Sequence, residues 1–233
     1  MDPRTAGRQL LDFLGLRWPP LALAFRPTPP AGVRRITTPA PASCAYWKLI
    51  AELGPFYTDA ADHTRCPIGA YVHGVNLEPE TAKELGALVE TMIGIEYLKP
   101  EEVQALPRVD PPFGVLVYAP LSETPCEPDV VIVRGNARQV MLVAEAARAA
   151  GVGHDGATMG RPACAMIPEA LQSGRGATSL GCIGNRVYTA LGDDELYYAI
   201  PGPKLAEVVA KVGAIVDANR TLEAFHRERQ ATA

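Results

Sequence analysis

The sequence predicts an α/β or α+β fold in which a mixed sheet is flanked by helices. Three observations carry that expectation. A short apolar run, Val130 to Val133, passes at once into a segment that Asn136 can cap and that is patterned as a helix, the strand-turn-helix unit of such folds. Glycine and proline together supply 43 of 233 residues, about 18% against an average near 12%, which favours short elements joined by turns over a helical bundle. A hydrophobic fraction of 48% and a mean hydropathy of +0.03 are ample for a real core.

Taken in order, the elements are these. Between Thr5 and Leu16, the residues Leu10, Leu11, Phe13 and Leu14 make the apolar face of a helix that stops at Gly15. Trp18-Pro19-Pro20 turns the chain into a buried strand, Leu21 to Phe25, and the proline-rich stretch Arg26 to Pro41 reads as an irregular, mobile connection. Ser43 is placed to cap a short helix from Cys44 to Leu53, and Glu78 to Met92 is a second helix ended by Gly94. Val115 to Tyr118 and Asp129 to Val133, bounded by Pro111-Pro112, Pro120, Pro125 and Pro128, are core strands. The helix Asn136 to Ala150 closes at Gly151, and Gly151 to Gly160 reads as a glycine-rich loop. A helix around Cys164 to Gln172, a small-residue stretch to Cys182 and a strand Leu196 to Ile200 follow. Pro203 then opens a terminal helix to about Arg229, whose buried stripe is Val208, Val209, Val212, Ile215 and Val216.

Charge excludes several classes of partner. With 22 Lys and Arg against 26 Asp and Glu, the net charge of -4 offers no positive field to collect nucleic acid or anionic lipid. No apolar run approaches the roughly 18 to 20 residues of a membrane span, and Met1 to Leu16 lacks the pattern of a secretory signal. The expectation is a soluble, cytoplasmic protein with reduced thiols, a setting in which five cysteines do not make a disulfide framework.

Those cysteines carry an internal echo. Cys44-Ala45 precedes Cys66-Pro67-Ile68-Gly69, and Cys164-Ala165 precedes Cys182-Ile183-Gly184, by similar intervals. The chain is therefore expected to be one domain, 1–233, divisible into related halves 1–110 and 111–233 that face one another and bring four cysteines together. Cys126 stands outside the echo. Four thiolates can hold zinc or an iron-sulfur cluster, since both take soft sulfur ligands. The intervals of 21, 97 and 17 residues between them are unlike metal knuckles, which place two ligands within one turn. Small buried hydrophobes are the ordinary alternative for such cysteines.

The flanks add chemistry. His63 lies close enough to Cys66 in sequence to act on its thiolate, and Gly181, Gly184 and Arg186 surround Cys182 with backbone donors and a cation. Asp193-Asp194-Glu195 reads as a solvated turn, and Gly151 to Gly156 is rejected as a nucleotide loop because it follows a helix and lacks the Lys-Ser/Thr ending.

Leu14-Gly15-Leu16 with Pro20 to Leu23, Cys44-Ala45-Tyr46-Trp47, Cys66-Pro67-Ile68-Gly69, Pro128 to Ile132, Gln139-Val140-Met141, Cys164-Ala165 and Cys182 to Arg186 together resemble a prokaryotic family known as domain of unknown function 169. The resemblance covers nearly the whole chain. It implies a single soluble prokaryotic domain with motif cysteines at 44, 66, 164 and 182, and it implies no reaction.

Two functional expectations follow from the residues. In the first, Cys44, Cys66, Cys164 and Cys182 hold an iron-sulfur cluster or other soft-metal centre used in redox chemistry or ligand activation, with His63 and Arg186 supporting it and an electron-transfer protein or small-molecule ligand as partner. In the second, a metal-free cleft between the halves binds a small molecule, with anionic ligands included, and Tyr46, Trp47 and Arg186 line it.

Overall fold

The central strands are apolar on both sides, and this decides the architecture. Along β1 (Leu21–Arg26) and β5 (Val130–Asn136), Leu21, Leu23, Val130 and Ile132 point into one core while Ala22, Val131 and Val133 point into another. A sheet buried on both faces needs helices on both faces. The structure, a computed structural model describing residues 1–110, 113–158 and 161–232, has that form. On one face lie α2 (Tyr46–Leu53) and α7 (Met166–Ser173), and on the other α1 (Pro3–Leu14), α6 (Ala137–Ala149) and α9 (Leu205–Ala231).

Among the described residues the sheet is eight-stranded and mixed. The remaining strands are β2 (Arg34–Arg35), β3 (Phe56–Asp59), β4 (Val115–Pro120), β6 (His154–Thr158), β7 (Gly176–Ser179) and β8 (Glu195–Pro201), and the order is β2-β3-β4-β1-β5-β8-β7-β6. That order reads the same outward from the β1–β5 junction in both directions. β1 and β5 are antiparallel there through three residue pairs, Leu21 with Ile132, Ala22 with Val131 and Leu23 with Val130. On each side the next two pairings are antiparallel and the outermost, β2–β3 and β6–β7, is parallel.

The elements on the first helical face match as well. A 3-10 turn, Ser43–Ala45, leads into α2, then β3, then α3 (Pro67–Val72) with Cys66 as its N-cap residue. Its counterpart, the 3-10 turn Ala163–Ala165, leads into α7, then β7, then α8 (Ile183–Thr189) with Cys182 as N-cap. On this strand order β4 sits with β1 to β3, so a division at 110/111 would separate it from the strands it pairs with. The symmetry of the strand order changes over between β4 and β5. Between α3 and β4 the chain inserts α4 (Pro79–Gly94) and α5 (Pro100–Gln104), which contain no buried residue and have no counterpart between α8 and β8.

Local expectations meet the structure unevenly. Asn136 caps α6 as expected, its side chain accepting from the Gln139 backbone N–H while Gln139 returns a bond to the Asn136 N–H. Ser43 caps nothing. Its hydroxyl is taken by His63, and a 3-10 turn replaces the first turn of the expected helix. The irregular stretch before Pro41 contains β2, the expected loop after Gly151 contains β6, and Pro203 sits in a 3-10 turn ahead of α9. Pro111 and Pro112, expected to bound β4, and Met159 and Gly160 at the end of the expected glycine-rich loop lie outside the described residues.

Candidate functional site: the cysteine cleft

The short turns that open α2 and α7 are pressed against the helices of the opposite set of strands. Ser43–Ala45 packs on α8 as well as α3, and Ala163–Ala165 packs on α3. This crossing brings Cys44, Cys66, Cys164 and Cys182 onto the wall of one cleft of about 360 Å³. Cys44 and Cys164 are buried, Cys66 and Cys182 half-buried, and all are free thiols. Cys126 lies elsewhere, against the cluster Ala24, Val115 and Val117.

Close approach is built into the backbone. At Gly69 an added Cβ would meet Ser43 Oγ at 3.0 Å and Cys66 Sγ at 3.2 Å. Gly181 has φ +77, a left-handed conformation, and a Cβ there would meet Leu191 at 2.7 Å and Asn185 Oδ1 at 3.0 Å. Cys66 and Cys182 each stand at the N-cap of a short helix.

Burial favours the neutral thiols. It pushes Cys44 up to about 12, raises Cys66, and carries Cys164 well above the usual thiol range, with the neighbouring cysteines adding to the effect at Cys44 and Cys164. At Cys44, Cys66 and Cys164 a bound cation would favour the thiolate by displacing the proton. As the side chains stand, no three His, Cys, Asp or Glu among the described residues are gathered closely enough for one metal ion.

The other expected site residues are placed differently. Tyr46 is fully buried, packed on Phe56, His63 and Tyr118, with its hydroxyl donating to the Asp62 carbonyl. Trp47 meets Tyr197 edge-on at 5.3 Å and borders a separate cavity of about 30 Å³ with Trp18 and Arg134. Neither lines the cysteine cleft, because α2 turns its Tyr46-Trp47-Ile50 face into the core. Arg186 is committed to the loop that carries Cys182, donating to the Leu180 and Gly192 carbonyls at 2.7 and 3.0 Å. Of the acidic run, Asp193 is exposed while Glu195 turns inward to Arg134.

His63 is not a surface residue. Its Nε2 lies 2.8 Å from Thr58 Oγ1 and its Nδ1 2.9 Å from Ser43 Oγ. Thr58 donates its hydroxyl to the Leu116 carbonyl, so it accepts from Nε2–H, and Nδ1 is left to accept from Ser43. Burial holds His63 down at about 3, helped by His73 stacked 5.6 Å away, and burial holds His73 at about 4. His63 therefore reaches the cleft only through Ser43, which lines it.

Sequence reasoning missed Asn185. It lines the cleft at 1% exposure, its amide set beside the Cys44 thiol and the Tyr197 hydroxyl as a hydrogen-bonding neighbour of both. Its own carbonyl accepts from Thr189 at 2.7 Å, and Thr189 lies 2.9 Å from the Tyr197 hydroxyl, so the residue is anchored from behind. The position just after Cys182-Ile183-Gly184 was the available signal.

The mouth of the cleft is clasped by charge. Arg161 stacks 4.6 Å over Tyr97, donates to the Tyr97 carbonyl, and pairs with Glu102 at 3.2 Å, tying the second set of elements to α5. No helix among the described residues is long and apolar enough to cross a membrane.

Comparison with known proteins agrees with the family resemblance read from the sequence. The family model for domain of unknown function 169, described as an uncharacterised ArCR, matches residues 9–211. A protein of Methanocaldococcus jannaschii, the uncharacterized protein MJ0308, is 28% identical over 159 residues, covering 65% of this chain and 67% of its own. No solved structure matches. The chain belongs to the domain of unknown function 169 family.

Proposed function

We propose that this member of the family holds an iron-sulfur cluster or related soft-metal centre on Cys44, Cys66, Cys164 and Cys182, for redox chemistry or for activating a bound molecule. The observation that carries the reading is the convergence of four sulfur donors, two from each set of strands, on one cleft. The donor chemistry fits, since soft thiolates select such metals. A polynuclear cluster puts several atoms between its thiolates and so asks for wider spacing than a single zinc ion, with its Zn–S bonds of about 2.3 Å. As the side chains stand, the four thiols share one wall without being gathered around a point.

When bound, such a centre supplies one-electron chemistry or a Lewis-acidic metal. The protein's own residues bind and tune it. Cys66 and Cys182 meet it from helix starts whose N–H groups favour negative charge, Gly69 and Gly181 let backbone approach, and the apolar wall from α4 keeps water away. Ser43, held by His63, sits beside Cys66 and Gly69 as a hydroxyl. A cytoplasmic setting, where thiols stay reduced, is part of this reading.

Strictly anaerobic purification with iron, acid-labile sulfide and visible absorption measured together tests the reading. Stoichiometric iron and colour are expected in the wild type and in Cys126→Ser, and both should be lost in Cys66→Ser with its thermal melt largely kept. Colourless wild type, or equal metal content in both variants, sinks it. The metal-free reading, a small-molecule module, has one observation of its own: the cleft is far larger than a metal centre requires.

A further inference from the structure

The cysteines come from what the two sets of strands share, and much of the wall around them comes from what they do not. α4 and α5 belong to a segment without a counterpart between α8 and β8. It leaves and rejoins the fold at one place, where the Val109 N–H donates to the Val72 carbonyl at 2.9 Å and Arg108 to the Val75 carbonyl at 3.3 Å. Away from that base, Arg161 holds it at Tyr97 and Glu102. Leu85, Leu88, Val89 and Met92 of α4, with Val103 of α5 and Leu106 beyond it, line the cleft, although no residue of α4 or α5 is buried.

The repeated motifs add apolar groups of their own. Ile68 and Ile183, which follow Cys66 and Cys182, line the same cleft, and Ile183 is 72% exposed and Leu88 38%. Exposed apolar groups gathered in one concavity mark a binding surface. A cleft of about 360 Å³ holds roughly twelve waters at ~30 Å³ each, the scale of a small molecule rather than of a protein segment.

Charge and hydrogen bonding narrow the ligand. Among the described lining residues the charged ones are Glu102 and Arg161, which pair with each other at 3.2 Å. Burial favours the neutral thiol at Cys44, Cys66 and Cys164. The Ser43 hydroxyl is engaged by His63, and the Asn185 amide is set beside the Cys44 thiol and the Tyr197 hydroxyl. A charged ligand would give up its hydration here without gaining a countercharge, whereas an apolar one releases water from the leucine, valine and isoleucine wall.

We propose that the cleft binds a small, neutral, apolar molecule, seated against α4, α5 and the two motif isoleucines. This deepens the proposed function by naming the class of molecule that a centre on the cysteines would act on. The site rests on its lining alone and does not require the metal.

Fluorescence titration of the whole chain with N-phenyl-1-naphthylamine, which is neutral, and with 8-anilinonaphthalene-1-sulfonate, the same ring system carrying a sulfonate, tests the assignment. The neutral dye should bind saturably, one per chain, and the sulfonate at least about tenfold more weakly. Val89→Glu puts a carboxylate on the wall and Val89→Trp fills the space with apolar atoms, and each should weaken the neutral dye at least about tenfold. Ala87→Glu, at an exposed position of the same helix outside the lining, should leave its affinity unchanged. With no buried residue in α4, the variants should melt with the wild type, and the tryptophan keeps the test decisive if the carboxylate disturbs the helix. The titration is repeated after chelation has stripped any metal, with iron measured on the same sample. Saturable binding there upholds the site whether or not iron was present beforehand, so failure of the metal reading and failure of this one are told apart. No saturable binding of the neutral dye, equal affinity for the two dyes, wild-type affinity in both Val89 variants, or loss of binding on stripping would overturn it.

Discussion

The stacked pair His63 and His73 makes stability fall steeply as the pH is lowered. Both rings are buried and held neutral, His63 at about 3 and His73 at about 4, against about 6.5 in an unfolded chain. Above about pH 6.5 neither state carries the proton, so nothing is lost. As pH falls below that, the unfolded chain takes up protons that the folded one refuses, and each ring costs about 1.4 kcal/mol per pH unit. At about pH 5 the loss is about 2 kcal/mol for each, roughly 4 for both, out of a typical total of about 5–15. Below about pH 4 His73 protonates in the folded protein as well, and the fall becomes shallower.

His73→Phe isolates one ring. Phenylalanine keeps the contacts with Phe25 and His63 and gives up the bond from Nδ1 to the Gly69 carbonyl, so the variant is weaker at neutral pH by a fixed amount. Urea unfolding of wild type and variant should show their difference shrinking by about 2 kcal/mol between about pH 7 and pH 5. A difference that stays constant across that range refutes the claim that His73 is kept neutral by burial.

Three further outcomes are expected. Val131→Asp puts an unpaired carboxylate at a fully buried position on the β1–β5 junction, a cost of several kcal/mol, and should leave no cooperative melt by circular dichroism. Gly202→Ala would set a Cβ 1.8 Å from the Pro128 carbonyl oxygen, which is backbone and cannot swing aside, so unfolding free energy should drop by about 1–3 kcal/mol or more in urea titration. Arg161→Ala removes the clasp between the second set of elements and α5, and hydrogen exchange should quicken across 79–104 while β5 and β8 keep their protection.

What was legible in the sequence was what is stabilised locally. The β5–α6 unit could be read because Val130 to Val133 is uniformly apolar and Asn136 and Gln139 cap each other three residues apart. The four cysteines could be grouped because each pair repeats its immediate neighbours. Elements held by distant partners were not legible: β3, β6 and β7 have only four or five residues each, and pairing along the sheet, as of Phe56 with Tyr118, makes them strands. Aromatic residues beside Cys44 read as pocket wall, yet Tyr46 and Trp47 belong to the core face of α2. The polar stretch Asp62 to Arg65 hid a buried histidine, because the groups that satisfy His63 come from Thr58 and from Ser43, twenty residues upstream.

The β1–β5 junction is short, and this gives the cysteine cleft a mechanical meaning. Three residue pairs join the two leaves of the sheet, against seven between β5 and β8. Sulfur donors from both leaves share the cleft, so an occupant held by all of them is a rivet through the seam. Its affinity adds directly to the work needed to part the leaves, about 2.7 kcal/mol at a hundred times the dissociation constant. By the same reciprocity, any strain that opens the seam weakens the rivet by an equal free energy. An occupant of the cleft would therefore add to what the two hydrophobic cores, which also cross the seam, already contribute.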